Sequence, residues 1–313
     1  MARRTPTISV CIPTYNHAHF LKDSVESVLS QTFADFELII VDNCSTDATR
    51  ELVARYVAAD PRVSYFCNEI NVGPRENLNR CLEHASGEYV KILCADDLLE
   101  PTCLEESLRA LEEGQNSVLA ASARLLVDEQ LRPLRVAGYS DRNALVAGRD
   151  MIGYSLFNGN YIGEPSAVLF RRDAAERGFD TSYSLLIDLE MWLHLLEKGN
   201  LAYIGTPLCR FRYHGAQETN RVISSLDFID EEVRLYGKYS GMEYVDASLL
   251  NRIKRKFKLA WMLPLSDSGS IDAGKLLEKV RSHEGYGLLY VIFLGRLAAG
   301  RLSGMLQRTG AAQ

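Results

Sequence analysis

Short apolar runs alternate with stretches of helical spacing over the first third of the chain. Ile8-Ser9-Val10-Cys11-Ile12 is an apolar run stopped by Pro13, after which Phe20, Leu21, Ser24, Val25, Val28 and Leu29 recur at helical intervals. Residues 36–41 form a second strand-like run, followed by Ser45-Thr46-Asp47, good N-cap residues ahead of Leu52, Val53 and Tyr56. Residues 63–66 read as a third strand, 74–85 as a helix and 89–93 as a fourth strand. Strands alternating with helices of this length imply βαβ units, hence a mostly parallel, doubly wound α/β domain.

After Pro101 the pattern predicts a helix over 103–113 and a strand over 118–123, then an irregular polar stretch through Arg149. A further strand is expected at 167–170 and an amphipathic helix at 188–198, with Leu189, Trp192, Leu193 and Leu196 inward. Residues 201–204 and 208–213 are the next two strands. Beyond Gln217 the sequence is helix-like without strand alternation, which places a boundary near Thr219. The expected organisation is an α/β domain over 1–219 and a helical region over 220–313 for ligand, membrane-surface or oligomer contacts. Residues 288–294 are strongly apolar, and Arg296, Arg301 and Arg308 follow. This run is too short to span a bilayer, which takes about twenty apolar residues. Two readings remain: an interfacial helix on anionic lipid, or a helix of the core or of a homodimer.

Composition narrows the function classes. Of 313 residues, 47% are hydrophobic, enough for a sizeable core, and the net charge of −6 argues against a general nucleic-acid partner. An anionic ligand therefore needs local cations, helix N-termini or a metal. The seven cysteines lack C-x-x-C pairs, and Cys11, Cys94 and Cys209 lie in apolar runs, as expected of reduced thiols. Met1-Ala2-Arg3-Arg4 is basic, but the apolar run behind it is too short for a signal peptide. The expected location is cytoplasmic, with peripheral attachment at the inner face of the cell membrane if the tail is interfacial.

The chemistry concentrates where strands end. Lys91-Ile92-Leu93-Cys94-Ala95-Asp96-Asp97 is an apolar run closing on adjacent carboxylates, which repel unless a cation or proton offsets them. Mg²⁺ or Mn²⁺ shared with a ligand's phosphates fits that position, and so does a helix cap by Asp97 before Pro101. Strand one ends in Pro13-Thr14-Tyr15-Asn16 and strand two in Asp42-Asn43; strand three leads into Asn71-Val72-Gly73-Pro74-Arg75. Such groups at successive strand ends line the crevice where a nucleotide sits, although each alone also reads as turn chemistry. No G-x-G-x-x-G follows the first strand. Residues 269–276 (GSIDAGKL) mimic a P-loop but put Leu276 at the metal-binding hydroxyl position and follow no strand. His17 and His19 lack a third ligand nearby in sequence and read as helix-entry histidines.

The segments SVCIPTYN (9–16), FELIIVDNCSTDAT (36–49), NVGPRENLN (71–79) and GEYVKILCADDLLEP (87–101) resemble family 2 glycosyltransferases of the GT-A fold. FDTSYSLLIDLEMWLHLLEKG (179–199) and PLCRFRYHGAQET (207–219) resemble that family's later segments in the same order. The resemblance implies an inverting sugar transfer that depends on a nucleotide-sugar donor and on Mg²⁺ or Mn²⁺. It places Pro13, Thr14, Tyr15, Asp42, Asn43, Asn71, Gly73, Arg75 and Ala95 at the donor nucleotide. It departs from the family at Asn43, where an acid often reads the base, and at Cys94, where the first acid of D-x-D would stand. An Asn carbonyl still accepts from the N3–H of uracil or thymine, so a UDP- or dTDP-linked donor survives. The metal then falls to Asp96, with Asp97 and His214 beside it, and the diphosphate to Arg212 and His214.

Asp188 matches the family's catalytic base, which takes the acceptor hydroxyl's proton as that oxygen attacks the anomeric carbon. Its plain alternative is a helix cap, and Glu190 is the nearest rival base. The implied acceptor is a saccharide or a lipid-linked sugar in polysaccharide or glycolipid assembly. Cys94 and Asn43 also motivate a nucleotide-sugar-binding protein without catalysis, and the C-terminal helices a scaffold.

Overall fold

The computed structural model describes residues 5–215, 217, 226–262, 273–281, 283, 287–292 and 294–295. They gather into two compact units: one of residues up to Ile152 with Asn160–Gly215, the other of Gly153–Gly159 with the described residues beyond 216.

The first unit opens with β1 (Ile8–Thr14), α1 (Ala18–Leu29), β2 (Phe36–Asp42), α2 (Thr49–Ala59), β3 (Val63–Cys67), α3 (Pro74–His84) and β4 (Tyr89–Ile92). These strands pair in parallel in the order β3-β2-β1-β4, as the alternation of elements requires. Each apolar run is continuous because both sheet faces are covered. Val10, Ile12, Leu38 and Ile40 share one core cluster with Leu21, Val25 and Val28 of α1. Each such side chain removed from water contributes about 1.5–3 kcal/mol. β1 runs through Pro13 instead of stopping there. Pairing with β4 ends at Cys11, so on that side Pro13 has no ladder position to fill with the N–H it lacks.

The chain continues through β5 (Leu98–Leu99), α4 (Cys103–Glu113), β6 (Ser117–Val127), β7 (Pro133–Ala137), β8 (Ala144–Val146) and α5 (Gly148–Asn158). β9 (Val168–Arg171), α6 (Ile187–Leu196) and β10 (Asn200–Arg212) complete this part. The sheet extends as β4-β9-β6-β10-β5 and becomes mixed, with β9 antiparallel to both β4 and β6. The stretch expected to be irregular supplies the end of β6 together with β7 and β8. β7 was hidden because its residues are exposed and carry no core-facing alternation. The two strands expected at 201–204 and 208–213 are one strand, β10, with register shifts between Ile204 and Cys209. Gly205-Thr206-Pro207 reads as a break in sequence but here forms an irregularity inside a strand.

In the second unit, Phe228–Tyr239, Leu249–Met262 and Ala273–Arg281 are helices, as the loss of strand alternation implied. The first half of the P-loop-like segment 269–276 and the arginines at 296, 301 and 308 lie outside the described residues, as does the predicted boundary residue Thr219. Among the described residues, no helix is long and apolar enough to cross a membrane.

One close backbone approach sets up the β4 entry. Gly87 N donates to Ser9 Oγ at 2.8 Å, and a Cβ at Gly87 would lie 2.6 Å from Ser9 N and 2.9 Å from Ile8 C. Neither backbone atom can move without disturbing β1. Gly87→Ala is therefore expected to lower unfolding stability by about 1–3 kcal/mol, read as a shifted urea midpoint; an unchanged midpoint would show that the approach is not tight.

Candidate active site

The ends of β1, β2 and β4 meet along one sheet edge, and the following loops are stitched together by side chains. Asp42 is buried; its Oδ1 accepts from Ser45 N at 2.9 Å and its Oδ2 from Tyr65 Oη at 2.6 Å. Asn43 is buried beside it. Its Oδ1 accepts from Val72 N at 2.9 Å and Asn68 Nδ2 at 3.0 Å, and its Nδ2 donates to Asn71 Oδ1 at 2.8 Å. The Asn43 oxygen expected to read a base thus has two donors already, and Asp42 and Asn43 brace the loops that follow β2 and β3. Asn71 Oδ1 is similarly engaged, accepting also from Gly73 N at 2.8 Å. Thr14 behaves differently: its Oγ1 is buried without a hydrogen-bond partner, next to exposed Tyr15. Arg75 is exposed and donates to Thr181 O at 2.7 Å.

The β4 end holds the acids. Asp97 is 0% exposed; its Oδ2 accepts from Ser166 Oγ at 2.6 Å and its Oδ1 from Arg212 N at 3.0 Å. Burial, then the neighbouring Asp96 charge, lifts its acid well above the usual carboxylate range. Ala95 is also buried, within the core cluster, and Ser24 Oγ lies 2.8 Å from its carbonyl. Both residues shape the loop, and an Asp97 oxygen stays close to Asp96 and Cys94. Asp96 is the carboxylate left facing outward, and His214 Nε2 lies 2.9 Å from its Oδ2. The His214 ring packs against Phe20 with centroids 4.8 Å apart, and His17 is 6.3 Å away. His17 thus belongs to this corner despite its bland sequence setting, and burial lowers its pKa. Arg212 is 4% exposed, with Nη2 donating to Asp23 Oδ2 at 3.0 Å and its guanidinium 4.5 Å over the Phe20 ring. In the protein alone its guanidinium packs on Phe20 and pairs with Asp23, and its backbone N–H bonds Asp97.

A divalent cation fits this corner. Cys94 Sγ, an Asp96 oxygen and an Asp97 oxygen lie within 4.8 Å of one another. Burial raises the Cys94 thiol well above its ordinary range, so the thiol is a poor ligand and the hard oxygens lead. Asp96 and His214, facing each other, are the available pair. The repulsion between Asp96 and Asp97 is what a cation would relieve.

The second half of the site hangs on the segment between α5 and β9. Asn160 Nδ2 donates to Asp188 Oδ2 at 3.0 Å and to Gly163 O at 3.1 Å, and Asn160 Oδ1 accepts from Gly163 N at 3.0 Å. Trp192 Nε1, one turn along α6 from Asp188, donates to the same Gly163 carbonyl at 3.0 Å. Gly163 has φ +126°, and a Cβ there would lie 2.7 Å from Ala167 Cβ. Glu164 forms an ion pair with Arg124. Burial, followed by the Glu164 charge, pushes the Asp188 acid up to about 7. The rival Glu190 is closed off, accepting from Arg177 Nη1 at 2.8 Å and Nη2 at 2.6 Å.

Ser166 and Asn160 thus tie one short segment to Asp97 at one end and Asp188 at the other. An extended chain covers at most about 3.3–3.6 Å per residue, so the six steps from Asn160 to Ser166 span at most about 22 Å of backbone between the two attachments. Asn160, Glu164 and Ser166 fall in the stretch 159–166, where the sequence places acceptor contacts without a readable motif, whereas Arg124 was missed because it reads as ordinary strand polarity.

The family model described as glycosyl transferase family 2 matches residues 9–179. An uncharacterized protein of Mycobacterium tuberculosis is 32% identical over 232 residues, covering 70% of this chain and 71% of that protein. The putative teichuronic acid biosynthesis glycosyltransferase TuaG of Bacillus subtilis is 30% identical over 203 residues, 65% of this chain and 77% of its own. The GalNAc(5)-diNAcBac-PP-undecaprenol beta-1,3-glucosyltransferase of Campylobacter jejuni is 36% identical over 110 residues, 35% of this chain and 36% of that protein. Among solved structures, S. aureus TarS 1–349 in complex with UDP superposes with TM-score 0.58 and 17% identity, covering 95% of this chain and 92% of that one. The mannosyltransferase PcManGT from Pyrobaculum calidifontis, in complex with GDP-Man and Mn²⁺, gives 0.55 and 18%, covering 95% and 88%. These structural likenesses establish the GT-A fold.

The Asp188 environment has a stability signature. The folded acid titrates near 7 and an unfolded one near 3.8, so the folded state holds the extra proton between those values. Stability from this group is full below the lower value and is lost as pH rises toward 7, by at most about 1.4 kcal/mol per pH unit. Asp188→Asn should flatten that fall when denaturant melts at about pH 5 and about pH 8 are compared; an unchanged slope would place the carboxylate in water.

Proposed function

Because this chain belongs to glycosyl transferase family 2, we propose that it moves a sugar, with inversion, from a nucleoside-diphosphate sugar to an acceptor hydroxyl. The observation that carries this reading is the held carboxylate of Asp188, partly exposed, oriented by Asn160 and poised to ionise near neutral pH. A general base works best with a pKa near the working pH. Asp188 takes the acceptor O–H proton, the acceptor oxygen forms its bond to the anomeric carbon from the face opposite the leaving group, and the anomeric C–O bond to the diphosphate breaks. Inversion follows from that single displacement.

The donor base and ribose lie against Pro13, Thr14, Tyr15, Gly73 and Arg75, where the unpartnered Thr14 hydroxyl supports a ligand contact. A uracil or thymine donor remains the reading, with its contacts drawn from this rim and from backbone groups, since Asn43 is engaged. Mg²⁺ or Mn²⁺ held by Asp96 and His214 would supply positive charge to the departing diphosphate. The printed functions of TuaG and of the undecaprenol-linked glucosyltransferase support an acceptor in polysaccharide or glycolipid assembly.

Turnover of a UDP- and dTDP-sugar panel with Mn²⁺ tests the proposal. Asp188→Asn should bind donor normally and lose about 10²–10⁴-fold in transfer rate. Donor binding without transfer to any acceptor by the unaltered chain would leave a nucleotide-sugar-binding protein, the reading that Cys94 at the first-acid position favours. Asn160→Ala should shift the acidic limb of the rate profile upward in pH, because the Asp188 carboxylate loses a donor to its charged form; an unmoved limb would remove Asn160 from the base's support.

A further inference from the structure

Helix Leu249–Met262 carries Arg252, Lys254, Arg255, Lys256 and Lys258 and no acid, in a chain whose net charge is −6. Its inward face is well anchored. Arg255 is buried, with Nη2 donating to Glu232 Oε2 at 3.0 Å and the guanidinium 4.2 Å over the Tyr236 ring, and Leu259, one turn on, is fully buried. At about 100° per residue, Leu250 and Phe257 fall on the opposite side from Arg255 and Leu259. They are outward there: Leu249 and Leu250 are each 75% exposed and Phe257 47%. Lys254 is exposed on one flank of this stripe and half-buried Lys256 lies on the other, while exposed Arg252 falls on the side of Leu259. Burial, then the neighbouring Arg255 and Arg252 charges, pulls the Lys256 pKa below the ordinary lysine value.

A water-facing helix would carry polar groups where Leu249, Leu250 and Phe257 stand. A nucleic-acid surface would need the cations but not the outward leucines. A protein groove would not call for so one-sided a charge. The combination matches a surface that is apolar below and anionic above. A second outward apolar row exists in the same unit: residues 287–292 are helical and uncharged, with Leu289 buried while Leu288 and Val291 are exposed. The sequence left that tail between an interfacial and a core helix, and its exposed side fits the former.

We propose that helix Leu249–Met262 docks flat on an anionic phospholipid bilayer, with Leu249, Leu250 and Phe257 entering the headgroup–acyl boundary and Lys254 and Lys256 on its flanks meeting lipid phosphates. This is independent of the sugar-transfer reading, since it requires neither donor nor metal. Each cation near an anionic leaflet strengthens partitioning by about fivefold, and burial of an outward leucine or phenylalanine by about tenfold or more.

Flotation of the full chain with lipid vesicles tests it. Vesicles of phosphatidylcholine mixed with phosphatidylglycerol should carry the protein, whereas phosphatidylcholine alone should bind at least about tenfold more weakly, and added salt should weaken the anionic binding. Leu250→Gln with Phe257→Gln should lower partitioning by about tenfold or more, and Lys254→Glu by about fivefold or more, with thermal melts unchanged because all three positions are exposed. Failure of the unaltered chain to float with anionic vesicles would overturn the proposal. So would flotation of the Leu250→Gln, Phe257→Gln variant equal to that of the unaltered chain. Binding to heparin or nucleic acid that survives the apolar changes, without vesicle binding, would instead make the helix a polyanion surface.

Discussion

The hydroxyl of Ser166 holds the two halves of the site together. It donates to the buried carboxyl of Asp97 at 2.6 Å and accepts from Cys94 N at 3.1 Å, so the end of β4 and the start of β9 are joined through one oxygen. A buried carboxyl needs such a partner, since leaving it unsatisfied costs about 1–3 kcal/mol or more. With Asp97 sealed, Asp96 is turned outward toward His214. With Ser166 pinned, the preceding residues are pulled into the turn through which Asn160 reaches Asp188. One hydrogen-bonded joint thus fixes both where negative charge is presented and where a proton can be accepted.

That arrangement concentrates acids. Burial first, then the Asp96 charge, raises the acid of Asp97, and burial first, then the Glu164 charge, raises that of Asp188. Arg124 offsets Glu164 by an ion pair, while Arg212 is directed to Asp23 and the Phe20 ring. Glu164 therefore has a built-in guanidinium counter-charge, whereas Asp96 faces the imidazole of His214. A site that is to receive a cation and a diphosphate gains from this asymmetry: permanent guanidinium groups brace the frame, and the outward carboxylate is left for a ligand that arrives with its own charge.

The departures from the family pattern fall on residues with different standing. Cys94 occupies the place of an acid, yet its thiol is buried and kept protonated by burial and by the nearby carboxylates. Asn43 replaces a base-reading acid and has become the hub of a loop, bonded to Asn68, Asn71 and Val72. A neutral side chain can donate and accept at once, which an ionised carboxylate cannot, and that capacity is what the loop uses.

Much of the fold was legible because it follows from local periodicity. The runs of β1, β2 and β4, the spacing of α1 and the helix Cys103–Glu113 are set by which positions must leave water. The carboxylates Asp96 and Asp188 were likewise visible, as acids placed where an apolar run ends or a helix begins. Exposed β7 and the irregular join in β10 were not, since neither carries a hydrophobic signal of its own. Nor could sequence tell that Asp97 and Asn43 are engaged inside the protein while Asp96 faces out, or that Asn160 and Glu164 stand beside Asp188. The chain by itself determined which elements form and which residues carry charge. Tertiary structure alone decided which of those charges are satisfied internally and which are offered to a ligand, because hydrogen-bond partners remote in sequence are chosen only when the strands assemble.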